Sequence, residues 1–542
     1  MKRKTLKTAA LFSSLFSLNL ISYSIIAAEV PEGTELAQQQ VLVRGNGMEI
    51  VSIDPHKVEG TPESNVIRDL LEGLVNQDSK GDMVSAVAES WMNQNNSTFT
   101  FKLRKEAKWS NGDPVTADDF IYSFQRGVDP KTASPYAWYF EKANIVNASD
   151  IVKGLKGKDQ LGIKALNPYT LEIKLNKPTP YFIKMLAHTA MKPVHQQTIQ
   201  QFGDKWTSPK HFVGNGAFVL ADWVLNEKID LVRNPNYWDN QHTVLNSVTF
   251  LPIDNQVSEM NRFLSGEISI TNDIPLANYQ HLKNKYPDNV VTKGNLCSYY
   301  YEFNSQKAPF DNVNVRKALS YAIDRDVIAN KIMGQGQKPA YTFTPEIVNG
   351  FNTTNEDYAQ LTQAERVEKA KKLLEQAGFN EENPLSFSLL YNTSDNHKKI
   401  AIAVQSMWKN SLGAEVQLEN KEWKSYVESR KSGDFDVTRA GWCGDYNEAS
   451  SFLSVLQSNN SANTGQYFNA KFEDLLDQAT KIQDLNQRGE YYTAAEKILT
   501  QDMPVAPIYQ QVSTRLISKQ LKGYPINNAD DRIYSKDLYI IK

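Results

Sequence analysis

LTQAERVEKAKKLLEQAGFNEENPLSFSLLYN, residues 361–392, and TSDNHKKIAIAVQSMWKNSLGAEVQLENKEWKSYVESRKSGDFDVTRAGWC, residues 393–443, form the stretch whose reading decides the fold. Thr362 followed by Glu365 predicts a helix start, because each side chain can satisfy a backbone N–H that the first turn leaves free. Val367, Ala370, Leu373, Leu374 and Ala377 then recur on one helical face, and Gly378 stands where a helix would stop. After Pro384, Leu385, Phe387, Leu389 and Tyr391 alternate with Ser386, Ser388 and Leu390, the two-residue period of a strand. A second helix follows through Ile400, Ala403, Val404, Met407 and Trp408 to Gly413, then a strand at Val416 and Leu418. Glu422 to Lys431 reads as a further helix and Phe435 to Trp442 as a third strand. This succession predicts a doubly wound α/β unit with right-handed crossovers. Ligands in such sheets bind beyond the carboxyl ends of the strands, and Trp442-Cys443-Gly444-Asp445-Tyr446 is one such end.

Outside this stretch, strand-like and helix-like runs keep alternating, with no internal repeat, heptad run or long Pro/Gly/Ser linker. In residues 87–125, Phe99, Phe101 and Leu103 alternate with Thr98, Thr100 and Lys102 as a strand. Lys108-Trp109-Ser110-Asn111-Gly112-Asp113-Pro114 reads as a turn, and Thr116, with Asp119 three residues on, caps a helix whose first large apolar residue is Phe120. The whole chain has 542 residues, enough for several structural units each with its own core. Its 59 Lys+Arg against 62 Asp+Glu argue against a nucleic-acid binder, and its mean hydropathy of -0.49 argues against a membrane bundle.

Residues 1–28 read as a secretory signal: Lys2, Arg3, Lys4 and Lys7, an apolar run from Ala9 to Ile26, and a small-residue exit at Ala27-Ala28. A membrane anchor is the competing reading, weakened by the serines and Asn19 inside the run. Cleavage near Ala28 would leave 55 basic and 62 acidic residues, a mature net charge of -7. Export to an oxidising compartment would let the two cysteines, Cys297 and Cys443, pair; two unpaired buried thiols are the alternative.

Catalytic signatures are missing from the sequence. It contains no G-x-S-x-G elbow, no G-x-x-x-x-G-K-[ST] loop and no H-E-x-x-H pair. Ser394-Asp395-Asn396 and Ser406-Met407-Trp408-Lys409 imitate two penicillin-recognising motifs, in the wrong order and without the third. The seven histidines show no i, i+4 pair, so no helix-borne metal site is expected, and Gly334-Gln335-Gly336 lacks the third glycine of a dinucleotide loop. No cofactor, metal site or catalytic residue is therefore expected. Abundant carboxylates leave an exported glycosidase or other hydrolase as a rival without positive support.

Ala88-Glu89-Ser90-Trp91, the run from Thr98 to Lys105 and the run from Lys108 to Phe120 resemble the signature of the large solute-binding proteins of peptide ABC importers, solute-binding protein family 5. Asp54-Pro55-His56, Arg316 to Ala322 with Asp324-Arg325, and the run from Arg439 to Asn447 extend the resemblance, which covers about residue 30 to the C-terminus. The resemblance implies a three-lobed α/β periplasmic-binding-protein fold: lobe one from 29–72, 196–296 and 513–542, lobe two from 73–195, lobe three from 297–512. It implies a monomeric, non-catalytic periplasmic receptor that binds oligopeptides and delivers them to an ABC permease, with no nucleic acid involved. A same-fold receptor for dipeptides, haem or a metal chelate is the alternative.

The resemblance also implies roles. Backbone pairing would add the peptide as a strand between Glu59, Gly60 and Thr61 on one side and Gly441, Trp442 and Cys443 on the other. Asp445 would hold the peptide's α-ammonium; from the residues alone, an aspartate just after a strand equally suits a helix N-cap. Arg430, Arg439 and His397 match positions that meet the α-carboxylate of peptides of different length, although each taken alone reads as a surface charge. Tyr136, Glu302, Trp423 and Trp442 match residues lining side-chain pockets, although isolated aromatics more often belong to a core. Family members have a disulfide at the positions of Cys297 and Cys443. Where a lysine able to meet short ligands would align, this chain has Met333, which argues against the shortest peptides.

Overall fold

The structure, a computed structural model, describes residues 28–352, 358–460 and 462–542. The expected export signal lies outside the described residues except for Ala28. Three larger sheets organise the chain. In the first, Val41–Gly45 runs parallel to Ser247–Leu251, followed by antiparallel Lys228–Arg233 and Phe218–Val224. In the second, Ala88–Gln94, Thr98–Leu103, Thr170–Lys174 and Ile163–Asn167 lie side by side, all antiparallel. One apolar core joins these two sheets, running from Leu42, Val248 and Phe250 to Phe99, Phe101 and Trp109.

The third sheet has six strands in the order Lys338–Pro339, Val505–Leu516, Val290–Phe303, Val437–Cys443, Ser386–Asn392 and Glu415–Lys421. The last three carry the expected doubly wound unit: Ser386–Asn392 pairs in parallel with both Glu415–Lys421 and Val437–Cys443. The chain goes first to one side and then to the other, so the topological switch falls between Ser386–Asn392 and Val437–Cys443. The sheet as a whole is mixed, because Val437–Cys443 pairs antiparallel with Val290–Phe303 on its other side. That partner is remote in sequence, and no local pattern announces it.

Local chemistry accounts for the helices between these strands. Glu365 accepts the Thr362 N–H at 2.8 Å, opening Gln363–Gln376, and Gly378 follows at φ +92°. Ser394 caps Asp395–Leu412, which ends at Gly413 in the left-handed region. In the second sheet's segment, Asp119 accepts the Thr116 N–H at 2.7 Å, as the spacing predicts. Successive residues of Val290–Phe303 point to opposite faces: Tyr299, Tyr301 and Phe303 enter a core with Trp408 and Phe387, while Leu296 and Tyr300 enter another with Phe343 and Phe452. Trp408 is fully buried and donates its indole N–H to the Leu319 carbonyl at 2.8 Å.

Several recurrent polar motifs prove structural. Arg126 clamps Asp54 through two bonds of 2.9 and 2.6 Å and approaches His56 Nδ1 at 2.7 Å. His56 itself is fully buried, and desolvation followed by the Arg126 charge lowers it to about 3, so it is neutral at physiological pH. Arg325, also fully buried, donates to the carbonyls of Ser320, Ile323, Ala340 and Pro507.

Cys297 and Cys443 form a disulfide across directly opposed positions of the central antiparallel pair, with 4.0 Å between their Cα atoms. At a sequence separation of 146, this link restricts a large loop of the unfolded chain. Peptide mapping of the oxidised protein should recover Cys297 joined to Cys443. The double variant C297S/C443S should unfold at lower temperature, with a loss of about 2–5 kcal/mol; an unchanged melting temperature would contradict a stabilising role.

Candidate functional site

The site begins with the hydrogen-bonding alternation of the Val437–Cys443 strand. Trp442 opposes Ser298, and the next residue of that parity, Gly444, donates its N–H to the Leu296 carbonyl at 2.7 Å. Residues of the other parity, Gly441 and Cys443, therefore turn their N–H and C=O groups away from Val290–Phe303. On that side Ser386–Asn392 pairs only with Val437 and Thr438. Among the described strands, nothing pairs with Gly441 to Cys443 there, which leaves a free edge at the switch point. Such an edge can accept another extended backbone.

Directly beyond the edge is Asp445. A Cβ at Gly444 would fall 2.7 Å from Phe452 Cε2, so glycine lets the loop pack closely there. The Asp445 N–H donates to Ser451 Oγ at 2.8 Å. The helix that follows, Ser450–Leu453, has Ala449 at its N-cap, so Asp445 is not a helix cap. Among the described residues no donor bonds its carboxylate oxygens. Burial raises its pKa to about 6, opposed by the positive charges of Arg532 and Lys142. Tyr136 faces the same region: desolvation, then the charges of Asp445 and Glu59, push its phenol up. Its ring stacks on Trp138 at 5.4 Å and meets His188 at 4.7 Å.

Farther along the strand, Arg439 lies over the Tyr299 ring at 4.7 Å and has no carboxylate partner among the described residues. His397 reaches the Tyr299 hydroxyl at 3.4 Å from its Nδ1. Burial, then Arg439, lowers His397 to about 3, so it presents a neutral imidazole rather than the cation its alignment suggests. Arg430 and Glu302 meet each other at 2.6 Å. Glu302 also accepts from Thr464 Oγ1 and the Gly465 N–H, both at 2.7 Å, and so is a buried anchor for Arg430. Burial works against the Arg430 charge, but Glu302 outweighs it and raises the pKa.

The remaining expected residues divide. Gly60 is extended, at φ -85°, ψ 154°, Glu59 before it lies outside any helix or strand, and Thr61 is the first residue of the helix Thr61–Leu70. Pro62 favours that helix start, and the Thr61 N–H, at the first helical position, has no partner within the helix. Trp442 fixes its indole on the Ser451 carbonyl at 2.7 Å and packs against the Phe452 core. Trp423 opens the helix Trp423–Ser432; its side chain lies outside the described residues. Met333 is buried in the core on one face of the third sheet.

Sequence reasoning missed the cations around the loop. Arg532 donates Nη2 to the Asp445 carbonyl at 2.7 Å. From the other direction, Lys184 donates to the Asn447 carbonyl at 2.7 Å and pairs with Glu448 at 3.4 Å, while Tyr181 stacks on Tyr446 at 5.0 Å. Glu448 is fully buried and held by Arg488 through two 2.9 Å bonds and by the Tyr492 hydroxyl at 2.8 Å. No short-range pattern joins residues so far apart. The tyrosine at 446, immediately after the aspartate, was the one available signal. Among the described residues no group of three His, Cys, Asp or Glu could hold a metal.

An open strand edge leading to a half-buried carboxylate without a donor among the described residues, in a loop gripped from two sides, is the arrangement of a ligand receptor. Residues 82–464 match the model of the bacterial extracellular solute-binding proteins, family 5 middle. The chain is 49% identical over 541 residues to the periplasmic oligopeptide-binding protein OppA of Salmonella typhimurium, covering 100% of this chain and 99% of that protein. It is 49% identical over 516 residues to the periplasmic murein peptide-binding protein MppA of Escherichia coli, covering 95% and 96%. The crystal structure of Haemophilus influenzae OppA in complex with RPPGFSPFR superposes with a TM-score of 0.81 at 44% identity, covering 94% of this chain and 100% of that one. The chain belongs to the family 5 solute-binding proteins.

Replacing Lys184 by methionine should loosen the loop without breaking the Glu448–Arg488 pair. A charge-assisted hydrogen bond contributes about 1.5–3 kcal/mol, so amide exchange over residues 445–451 should accelerate by roughly ten- to a hundredfold. Unchanged exchange would show that Lys184 does not restrain the loop.

Proposed function

We propose that this chain is an extracytoplasmic receptor that binds oligopeptides as an added strand and passes them to a membrane permease powered by a separate ATPase. The observation that carries this reading is the Asp445 carboxylate: half-buried, without a hydrogen-bond donor among the described residues, and two residues past a free strand edge. A lone buried carboxylate is costly unless something supplies the opposite charge. An α-ammonium does so, and the backbone behind it can pair with Gly441 and Cys443 whatever its side chains. The names of the relatives, which include oligopeptide- and murein peptide-binding proteins of the periplasm, support the same cargo class and compartment.

In this reading the mature protein follows cleavage near Ala28 and works as a monomer without chemistry of its own. Lobe one comprises 29–72, 196–296 and 513–542, lobe two 73–195 and lobe three 297–512. Two long strands, Val290–Phe303 and Val505–Leu516, cross the boundary between lobes one and three, and their pairing shifts register between Gly294 and Ser298. That irregularity suits a hinge, because a bulge locally releases the ladder. Closure presses Tyr181 and Lys184 of lobe two against Tyr446 to Glu448. Arg439 supplies a cation for the peptide's carboxylate, His397 a neutral N–H, and Arg430 a charge already shared with Glu302. Tyr136 and Trp442 wall the side-chain pockets.

Titration calorimetry tests the anchor. N-acetylating a tripeptide, or substituting Asp445→Asn, should weaken binding at pH 7.5 by at least about a hundredfold, the scale of leaving one partner of a buried ion pair alone. Equal affinity for free and acetylated peptide would refute the assignment. Asp445 must be ionised to hold an ammonium, and its raised pKa of about 6 means the free protein increasingly protonates it below that pH. Affinity should therefore be full at pH 7–8 and fall by up to about tenfold per pH unit below 6, a fall absent from the Asp445→Asn variant.

A further inference from the structure

The C-terminal segment brings Arg532 to the loop that carries Asp445, and the residues around it are unusually well fixed. Asp531, at φ +56°, is clamped by Arg515 at 2.7 and 2.8 Å and by Lys293 at 2.9 Å. Asp530 accepts from Gln77 Nε2 at 3.0 Å. Arg532 therefore leaves a rigid backbone, and its Nη2 meets the Asp445 carbonyl at 2.7 Å. Its Nη1 is buried and has no hydrogen-bond partner among the described residues. A guanidinium that satisfies only one arm by gripping a main-chain carbonyl, beside a carboxylate that no donor reaches, is poorly explained by packing alone.

We propose that Arg532 is a positioning residue for the Asp445 carboxylate, fixing the loop through its main-chain carbonyl and setting a permanent positive charge beside the group that receives the peptide's α-ammonium. The inference rests on the reading of Asp445 as the amine anchor. The groups facing Asp445 come from three places. The C-terminal segment gives Arg532 and Asp530, and residues 136–142 give Lys142 and the phenols of Tyr136 and Tyr139. Glu59 acts on Tyr136 from the first segment. Arg532 in turn faces Asp530, Tyr534, Tyr139 and Asp445, with His188, Lys192 and Arg68 feeling its charge. Asp445, Asp530, Arg532 and Lys142 together are balanced, two negative and two positive. Burial lowers Lys142 to about 8, further reduced by Lys177 and supported by Asp445 and Glu141, so Arg532 is the cation of the set that stays charged through the alkaline range. Without Arg532, burial would drive Asp445 further toward its neutral form, which cannot hold an ammonium.

The test measures tripeptide affinity from pH 5 to 8.5 for the parent protein, Arg532→Gln and Arg532→Lys, with the N-acetylated tripeptide as control. The parent should discriminate against the acetylated ligand and lose affinity below pH 6. Arg532→Gln should move that break to higher pH, so that its deficit relative to the parent is roughly three- to tenfold larger at pH 6 than at pH 8. Arg532→Lys keeps the charge but not the fork, and should keep the break while binding more weakly by a similar factor at every pH. No discrimination and no break in the parent would overturn the amine anchor itself, and this inference with it. A normal parent with an unmoved break in Arg532→Gln would overturn this inference alone. Should Arg532→Gln fail to fold, parental affinity in Arg532→Lys throughout would overturn it equally.

Discussion

The antiparallel ladder between Val290–Phe303 and Val437–Cys443 is the constraint on which the site depends. Its register decides which backbone groups are consumed inside the sheet and which face outward. A slip of one residue would turn Gly441 and Cys443 inward and exchange every side chain between the two faces, taking Tyr299 and Tyr301 out of one core and Tyr300 out of the other. The disulfide sits at the end of this ladder, where Cys297 and Cys443 are direct partners, and so pins the register beside the open edge. The cysteines thus specify geometry in addition to any effect on the unfolded chain.

What the sequence made legible was local. Thr362 with Glu365, Thr116 with Asp119, and Gly378 and Gly413 carry their consequences within a few residues, and the corresponding helices begin and end there. The three-strand unit from Ser386 to Cys443 was readable for the same reason. The antiparallel neighbour of its last strand was not, because pairing between Tyr301 and Arg439 is a property of the folded chain. Thr61 illustrates a missed local signal: Pro62 marks a helix start where the family resemblance implied an edge. Asp445 was readable from the residues as a helix cap, and the helix after it starts from Ala449 instead. Arg532, Lys184 and the Glu302–Arg430 pair could not be read, since each meets its partner only through tertiary packing.

Four carboxylates of the scaffold are matched by arginines. Asp54 is matched by Arg126, Glu302 by Arg430, Glu448 by Arg488 and Asp531 by Arg515, each at 2.9 Å or closer. Each pair removes a charge that burial would otherwise make expensive. Asp445 differs from these four: the nearby guanidinium of Arg532 bonds its carbonyl, and among the described residues no donor bonds its carboxylate. Its position within the loop gives that difference a mechanical consequence. Tyr446, Asn447 and Glu448 follow it without interruption and make the contacts with Tyr181 and Lys184. A cation drawn to Asp445 therefore acts on the same few residues through which the segment 73–195 is held against the third sheet. In the proposed reading, ligand recognition and closure need no long pathway between them, because one short loop, gripped by Arg532 on one side and Lys184 on the other, serves both.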